Sequence, residues 1–435
     1  MSNIQYQDRE TTDKGAKKLL KTLISKKIVL VHVDTGGGKT FMSIRAIGVY
    51  DKNAHIIVLT TASQVKSQDW EKSIESYNHV KHTNLTYTVT SYQGLTGTKK
   101  QKEFLKSLKQ YKQKNMYIIV DEAHRIKNPR TKNWKNVKKI NSLPMVKGLI
   151  LLTATPVTES PLEPAGYLIL AGYYKNITDF NKQHVLAYDK YFQPIVKNYK
   201  GEIDLTKINN LDLLVKRFKS IRVNVKTDHL KPKTVFKELT FKYSDKIQKQ
   251  YRQIAKNYKN GVYESIAEAN AEQRKFISTH DLERKKVLSK IITSPKRIPG
   301  PILIFYKFNS QLESLIPYLQ QKHPDYEIHM INGKEKVDLN NKLNKKSLIL
   351  CQYVASGEAL NASFSHCSVF FEPTFSWKEY KQALGRNTRA YQKGTTYHFR
   401  FVVEKTINEH YWRDLIDNKK KFTTELQKQY LNNND

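Results

Sequence analysis

IVLVHVDTGGGKT (residues 28–40) passes from an apolar, β-branched run into three glycines, a lysine and a threonine, and a helix-compatible stretch follows from Phe41. A strand that ends in a glycine-rich turn and continues as a helix is what a phosphate-binding loop requires. Backbone N–H groups of the turn wrap the phosphates, and the helix points its positive end at them. Asp34, Thr35, Gly36, Gly37 and Gly38 would form that cradle, with Lys39 reaching the β- and γ-phosphates and the Thr40 hydroxyl holding Mg2+. Val33 stands where the usual pattern carries a further glycine, so the match covers only part of the motif.

Outward from that loop, MYIIVDEAH (residues 116–124) is a second apolar strand ending in paired carboxylates. Asp121 at a strand tip is placed to hold a nucleotide's Mg2+ through water, and Glu122 to orient or deprotonate the attacking water. An Asp-Glu pair alone is an ordinary solvated strand end. In this order after a phosphate loop, it predicts a nucleoside triphosphatase.

The chain has 435 residues, with 75 Lys+Arg against 40 Asp+Glu, a net charge of +35. That length predicts two or three domains, and that charge a polyanionic partner, nucleic acid for a triphosphatase. The longest apolar runs, such as GLILLTATPV, are far short of the ~20 residues that cross a bilayer, so no membrane partner is expected. The opening MSNIQYQDRETTD is polar, so no signal peptide is expected. Cys351 and Cys367 lack disulfide or zinc spacing, which predicts buried packing residues and a reducing, cytoplasmic setting.

Short apolar segments alternate with polar helical stretches twice over. The first set is IVLVHV, HIIVLT, TYTVTS, MYIIVDEAH and GLILLTATP; the second is PILIFYKF, YEIHMIN, KSLILCQ, CSVFFEP and YHFRFVV. The alternation predicts an α/β fold of two parallel-sheet lobes in tandem. The expected division is a first lobe over 1–160 and a mostly helical, basic connecting region over 161–298, split between the lobes. A second lobe over 299–415 and a polar tail over 416–435 complete it. In QALGRNTR (382–389), the spacing of Arg386 and Arg389 predicts that both project from one face of a helix. An arginine closing on a γ-phosphate stabilises the charge of phosphoryl transfer, and in a second lobe it would form the far wall of an ATP cleft whose closure moves the lobes.

VDTGGGKT, DEAHRIKN, LTATP, SGEALN and QALGRNTR, in this order, resemble the motif set of superfamily 2 helicases and translocases, closest to the SWI/SNF-like (DEAH-box) branch. KSIRVNVKTDHLKPKTVFKELTF and RNTRAYQKGTTYHFRFVVEKTINEHYW resemble that branch's segment joining the lobes and its stretch after the arginines. The resemblance implies two RecA-like lobes, ATP and Mg2+ as substrate and cofactor, and movement along nucleic acid, usually duplex DNA. It implies that Gln7 reads adenine, that Gly36 to Thr40 bind phosphate, and that Asp121 and Glu122 serve metal and water. Thr153 and Thr155 would couple nucleotide state to strand binding, and Gly357, Gln382, Arg386 and Arg389 would complete the nucleotide site. Ala154, Phe375 and Tyr391 stand where the branch more often carries Gly, Trp and Gly.

Strand contacts are expected from Ser63 and Gln64, Ser91 and Tyr92, Lys307 and Phe308, and Ser356, because small hydroxyls and lysines meet phosphates without reading sequence. Tyr92 is either a base-stacking ring or core, and the lysines of the connecting region are either solvated or duplex-facing. The expected activity is a minimal phage, viral or bacterial ATP-dependent DNA motor of replication, recombination or repair. Duplex or forked DNA is preferred to single strands or RNA, with a protein recruiter as a further partner. An RNA helicase and a non-hydrolysing nucleic-acid scaffold remain the alternatives.

Overall fold

The computed structural model describes residues 6, 9–33, 37–157, 160–197, 204–225, 227, 230–294, 300–332, 343–353, 362–389 and 392–418. Gln7, Asp34, Thr35, Gly36, Ser356, Gly357, Tyr391 and residues 419–435 lie outside the described residues. Two compact units divide the chain, the second beginning at Leu230.

The first unit is built on a six-stranded parallel sheet: β1 (Ile28–Val33), β2 (His55–Thr60), β3 (Thr86–Ser91), β4 (Met116–Val120), β5 (Val146–Thr153) and β6 (Arg222–Val225), in the order β3-β2-β4-β5-β1-β6. Side chains alternate across a pleated strand, so one continuous apolar run feeds two cores. Ile28 and Leu30 of β1 pack with Ile118 and Val120 of β4 on one face, while Val29, Val31 and Val33 join Tyr117 and Ile119 on the other. Burial on both faces is why these strands read as unbroken apolar stretches rather than alternating ones. Helices α1 (Glu10–Lys26) and α2 (Lys39–Tyr50) cover one face, and α3 (Ala62–Ser67) and α4 (Asp69–Lys81) follow β2.

The second unit repeats the plan with β7 (Thr234–Phe241), β8 (Ile302–Tyr306), β9 (Glu327–Ile331), β10 (Ser347–Gln352), β11 (Cys367–Phe370) and β12 (Thr396–Val403), again all parallel, in the order β7-β12-β11-β8-β10-β9. Each of the ten apolar segments expected to be strands is one. Two further strands come from the connecting region, which gives β6 to the edge of the first sheet and β7 to the edge of the second. Helices Asp245–Lys259, Ile266–Thr279 and Leu282–Ile292 pack in the second unit, where Tyr251 and Ile277 meet Val403 and Ile407. A buried ion pair pins the last of these helices to the sheet. Arg284 donates to Glu372 Oε1 at 2.6 Å and to the Phe371 carbonyl at 3.2 Å. Cys351 and Cys367 are free and buried, their thiols pushed up by burial. Among the described residues, no helix is long and apolar enough to cross a membrane.

Candidate functional site

In a parallel sheet every carboxyl end lies at the same edge, where ligand crevices form. The first unit brings five of its expected site segments to that edge. The glycine loop follows β1, Ser63 and Gln64 follow β2, and Ser91 and Tyr92 lie at the end of β3. Asp121 and Glu122 follow β4, and Thr153 and Thr155 lie at the end of β5.

Lys39 opens α2, capped by Gly38 at φ +81°, a conformation glycine adopts without strain. Its ammonium donates to the Val33 carbonyl at 3.0 Å, which draws the side chain back to the end of β1. Thr40 is in the first turn of the same helix. Tyr6 is anchored beside it. Tyr6 is buried, its N–H donates to Ser76 Oγ at 2.7 Å, and its ring packs edge-on against Phe41 and Tyr77. Arg45 of α2 donates to the Tyr6 hydroxyl at 2.6 Å and pairs with Asp13.

Asp121 is only 7% exposed, and burial first, then the Glu122 charge, pushes its carboxyl up to about 6. The charge of Lys39 and hydrogen bonds from Thr60 and Trp70 pull the other way. Lys39 and Asp121, far apart in sequence, therefore act in one electrostatic site. Asp121 Oδ1 accepts the Glu122 N–H at 3.0 Å, and Oδ2 faces Thr60 Oγ1 at 3.1 Å. Glu122 takes a left-handed backbone, φ +52°, which turns the chain sharply out of β4, and its Oε2 lies 3.0 Å from His124 Nδ1. Strained non-glycine backbone of this kind is stored at working sites when the surroundings hold it there.

Mg2+ takes few protein oxygens and keeps several waters. A buried carboxylate and a helix-start hydroxyl on one sheet edge, with a lysine to neutralise phosphate, are the donor set it needs. Thr153 and Thr155 are both buried, and the Thr155 N–H donates to Thr153 Oγ1 at 3.0 Å, so both lie within the turn after β5 rather than at the surface.

Three expectations are corrected. Tyr92 is core, 3% exposed, with its hydroxyl on the Asp121 carbonyl, so its ring is not offered to a base. Lys307 is not a bare phosphate contact: it pairs with Glu379 at 3.2 Å and lies over the Phe375 ring. Arg386 and Arg389 do not share a helical face, because the helix Trp377–Leu384, which carries Gln382, ends at Gly385 and both arginines lie in the segment beyond it. Glycine, then Asn387 and Thr388, are poor helix formers, and that stops the helix. Arg386 is buried, and the Arg389 N–H donates to Gln392 Oε1 at 3.3 Å.

The remaining expected strand contacts are divided. Ser63 Oγ lies 2.9 Å from Thr61 Oγ1, Ser91 Oγ accepts the Gly94 N–H at 2.9 Å, and Gln64 accepts from Thr60 and Trp70. Phe308 is half-buried, with the Arg274 guanidinium 4.6 Å from its ring centre. Sequence reasoning missed Thr60, Trp70 and His124. The adjacency of His124 to the carboxylate pair was a usable signal, whereas Thr60 and Trp70 reach Asp121 only through the fold.

Residues 5–158 match the family described as "Type III restriction enzyme, res subunit". A protein of Acanthamoeba polyphaga mimivirus that bears the name ATP-dependent RNA helicase is 24% identical over 395 residues, covering 86% of this chain and 83% of that one. A protein of Plasmodium falciparum that bears the name ATP-dependent helicase is 28% identical over 140 residues, 31% of this chain. This chain spans only 7% of the length of that relative. A solved structure, the Sulfolobus solfataricus SWI2/SNF2 ATPase core in complex with dsDNA, overlays with 15% identity and a TM-score of 0.40, covering 98% of this chain and 97% of that one.

Proposed function

We infer that this chain, an ATPase of the superfamily 2 helicase type, couples ATP hydrolysis to movement along or remodelling of duplex or forked DNA. The observation that carries the reading is the joining of Lys39 and Asp121, with Thr40 and Glu122 beside them, at the carboxyl edge of the first sheet. Lys39 binds the β- and γ-phosphates, and the start of α2 adds its N–H groups. Thr40 and Asp121 would hold Mg2+, which supplies positive charge against the phosphate oxygens when bound. Glu122 orients the attacking water and takes its proton, and His124 positions the Glu122 carboxylate for that work. By sequence likeness, Arg386 and Arg389 match the arginines that in such ATPases stabilise charge on the γ-phosphate in the transition state.

The net charge of +35 supports a phosphate-tracking surface. DNA as the track is supported by the likeness of DEAHRIKN and of residues 386–409 to the SWI/SNF-like branch. RNA is the second reading, favoured by the name of the mimiviral relative.

Phosphate release measured with duplex DNA, single-stranded DNA and RNA separates these readings. Stimulation greatest with duplex or forked DNA supports the first. Stimulation by RNA alone overturns the track and leaves the ATPase, and no hydrolysis under any condition overturns both.

A further inference from the structure

Thr60, the last residue of β2, has one hydroxyl proton and two acceptors within reach: Gln64 Oε1 at 2.9 Å and Asp121 Oδ2 at 3.1 Å. The Trp70 indole N–H of α4 meets the same choice, 3.1 Å from Gln64 Oε1 and 3.4 Å from Asp121 Oδ2. A hydroxyl and an indole each carry a single donor hydrogen. Two donors are thus shared between two oxygens, one belonging to the carboxylate that would hold the metal and one to a side chain of α3.

Burial makes that sharing consequential. Thr60 is fully enclosed and Trp70 is 2% exposed, so water does not make up a donor that turns away from Asp121. An ionised carboxylate in such surroundings depends on the hydrogen bonds it receives. Gln64 is the half-buried member of the group, on the outer side of the network. Because the indole only donates, the amide oxygen faces inward and Nε2 is left with no hydrogen bond to the described protein. A primary amide N–H is a ready donor to a backbone phosphate.

We propose that Gln64 is a positioning residue that competes with Asp121 for the Thr60 and Trp70 donors, and that a nucleic-acid phosphate, by drawing the Gln64 amide outward, returns both donors to Asp121. Strand binding at α3 then reaches the metal-holding carboxylate through two hydrogen bonds, with no backbone movement needed. The inference rests on the reading of this unit as a nucleic-acid-stimulated ATPase.

Steady-state ATPase assays of Gln64→Leu, with and without a saturating short DNA duplex and across a Mg2+ titration, test it. With the competitor gone, both donors serve Asp121 at all times. The DNA-free kcat is expected to rise about three- to tenfold, the value of one hydrogen bond or a little more. The half-saturating Mg2+ without DNA should fall, and the DNA-stimulated kcat should stay near the parental value. Trp70→Phe and Thr60→Val, which remove a donor, should instead lower the stimulated kcat, with Thr60→Ser restoring it. A parental DNA-free rate in Gln64→Leu, with only a higher DNA concentration needed for half-stimulation, would show a plain strand contact and overturn the proposal. A parental protein that no nucleic acid stimulates would defeat the functional reading itself, and this inference with it.

Discussion

The Tyr92 hydroxyl donates to the main-chain carbonyl of Asp121 across 2.5 Å, from a ring that is 3% exposed. The end of β3 thereby holds the turn in which β4 delivers its two carboxylates. Burial pushes the phenol well above its ordinary value, so it remains a donor at all working pH values.

Removing that one hydrogen bond gives the first prediction. Tyr92→Phe keeps the ring and the packing but frees the Asp121 carbonyl, at a cost of about 1 kcal/mol. If the cost falls on positioning, kcat drops roughly fivefold. Nucleic-acid affinity, measured by fluorescence anisotropy, should not change. A loss of affinity with kcat intact would return Tyr92 to the strand-binding surface.

Lys39→Ala should abolish ATP hydrolysis while nucleic-acid binding survives, because the phosphate cradle and the basic surface are separate features. Glu122→Gln should retain nucleotide binding but turn over at least ~100-fold more slowly, since general-base assistance is lost and the Asp121 carboxylate is kept. Nucleotide binding by calorimetry beside single-turnover hydrolysis checks both. Parental turnover in Glu122→Gln would refute its assignment.

Arg389→Ala should reduce the stimulated kcat by about 10³ with little change in nucleotide Kd, because an arginine of this kind acts chiefly as charge develops on the γ-phosphate. Equal losses in both quantities would mark a ground-state phosphate ligand. Arg386→Ala requires a melting curve alongside. Arg386 is buried, so loss of its side chain also disturbs packing.

Both lobes were legible because a parallel strand buried on two faces is apolar along its length, as MYIIV and the IIVL of HIIVLT are. β6 (RVNV) and β7 (TVFKELTF) were not, because each is an edge strand with one flank open and polar residues tolerated in the run. The site divides in the same way. Lys39, Thr40, Asp121 and Glu122 announce themselves by local spacing, since their chemistry needs neighbours in sequence. Thr60 and Trp70 lie 61 and 51 residues from the carboxylate they bond, so only the folded sheet reveals them. Tyr92 stayed open between stacking ring and core, and Lys307 was read as a bare strand contact, for a related reason: a ring or an ammonium in sequence does not show whether tertiary partners have already claimed it.

Nucleic-acid binding should fall steeply with salt and vary little with sequence. Each neutralised phosphate on duplex DNA contributes about −0.9 to the slope of log K against log salt. A slope near zero, or marked sequence selectivity, would contradict tracking along the backbone.

His55 gives the first unit a pH dependence of its own. At the start of β2, its Nδ1 lies 2.9 Å from Thr86 Oγ1 and its Nε2 3.0 Å from Thr88 Oγ1, with the ring stacked on Tyr111 at 3.7 Å. Burial, and after it the charge of Lys114, lowers the imidazole from its ordinary 6.5 to about 4. Between those values the unfolded chain binds a proton that the folded one does not, so stability rises with pH across the window. The contribution is complete above about 6.5 and is lost as pH falls toward about 4. Melting temperature followed from pH 7 downward should therefore decline, and His55→Gln, lower at pH 7 for want of the stacked ring, should decline less over the same window. Parallel curves for the two proteins would mean that His55 titrates alike folded and unfolded, and that the two hydroxyls and the tyrosine do not hold it neutral.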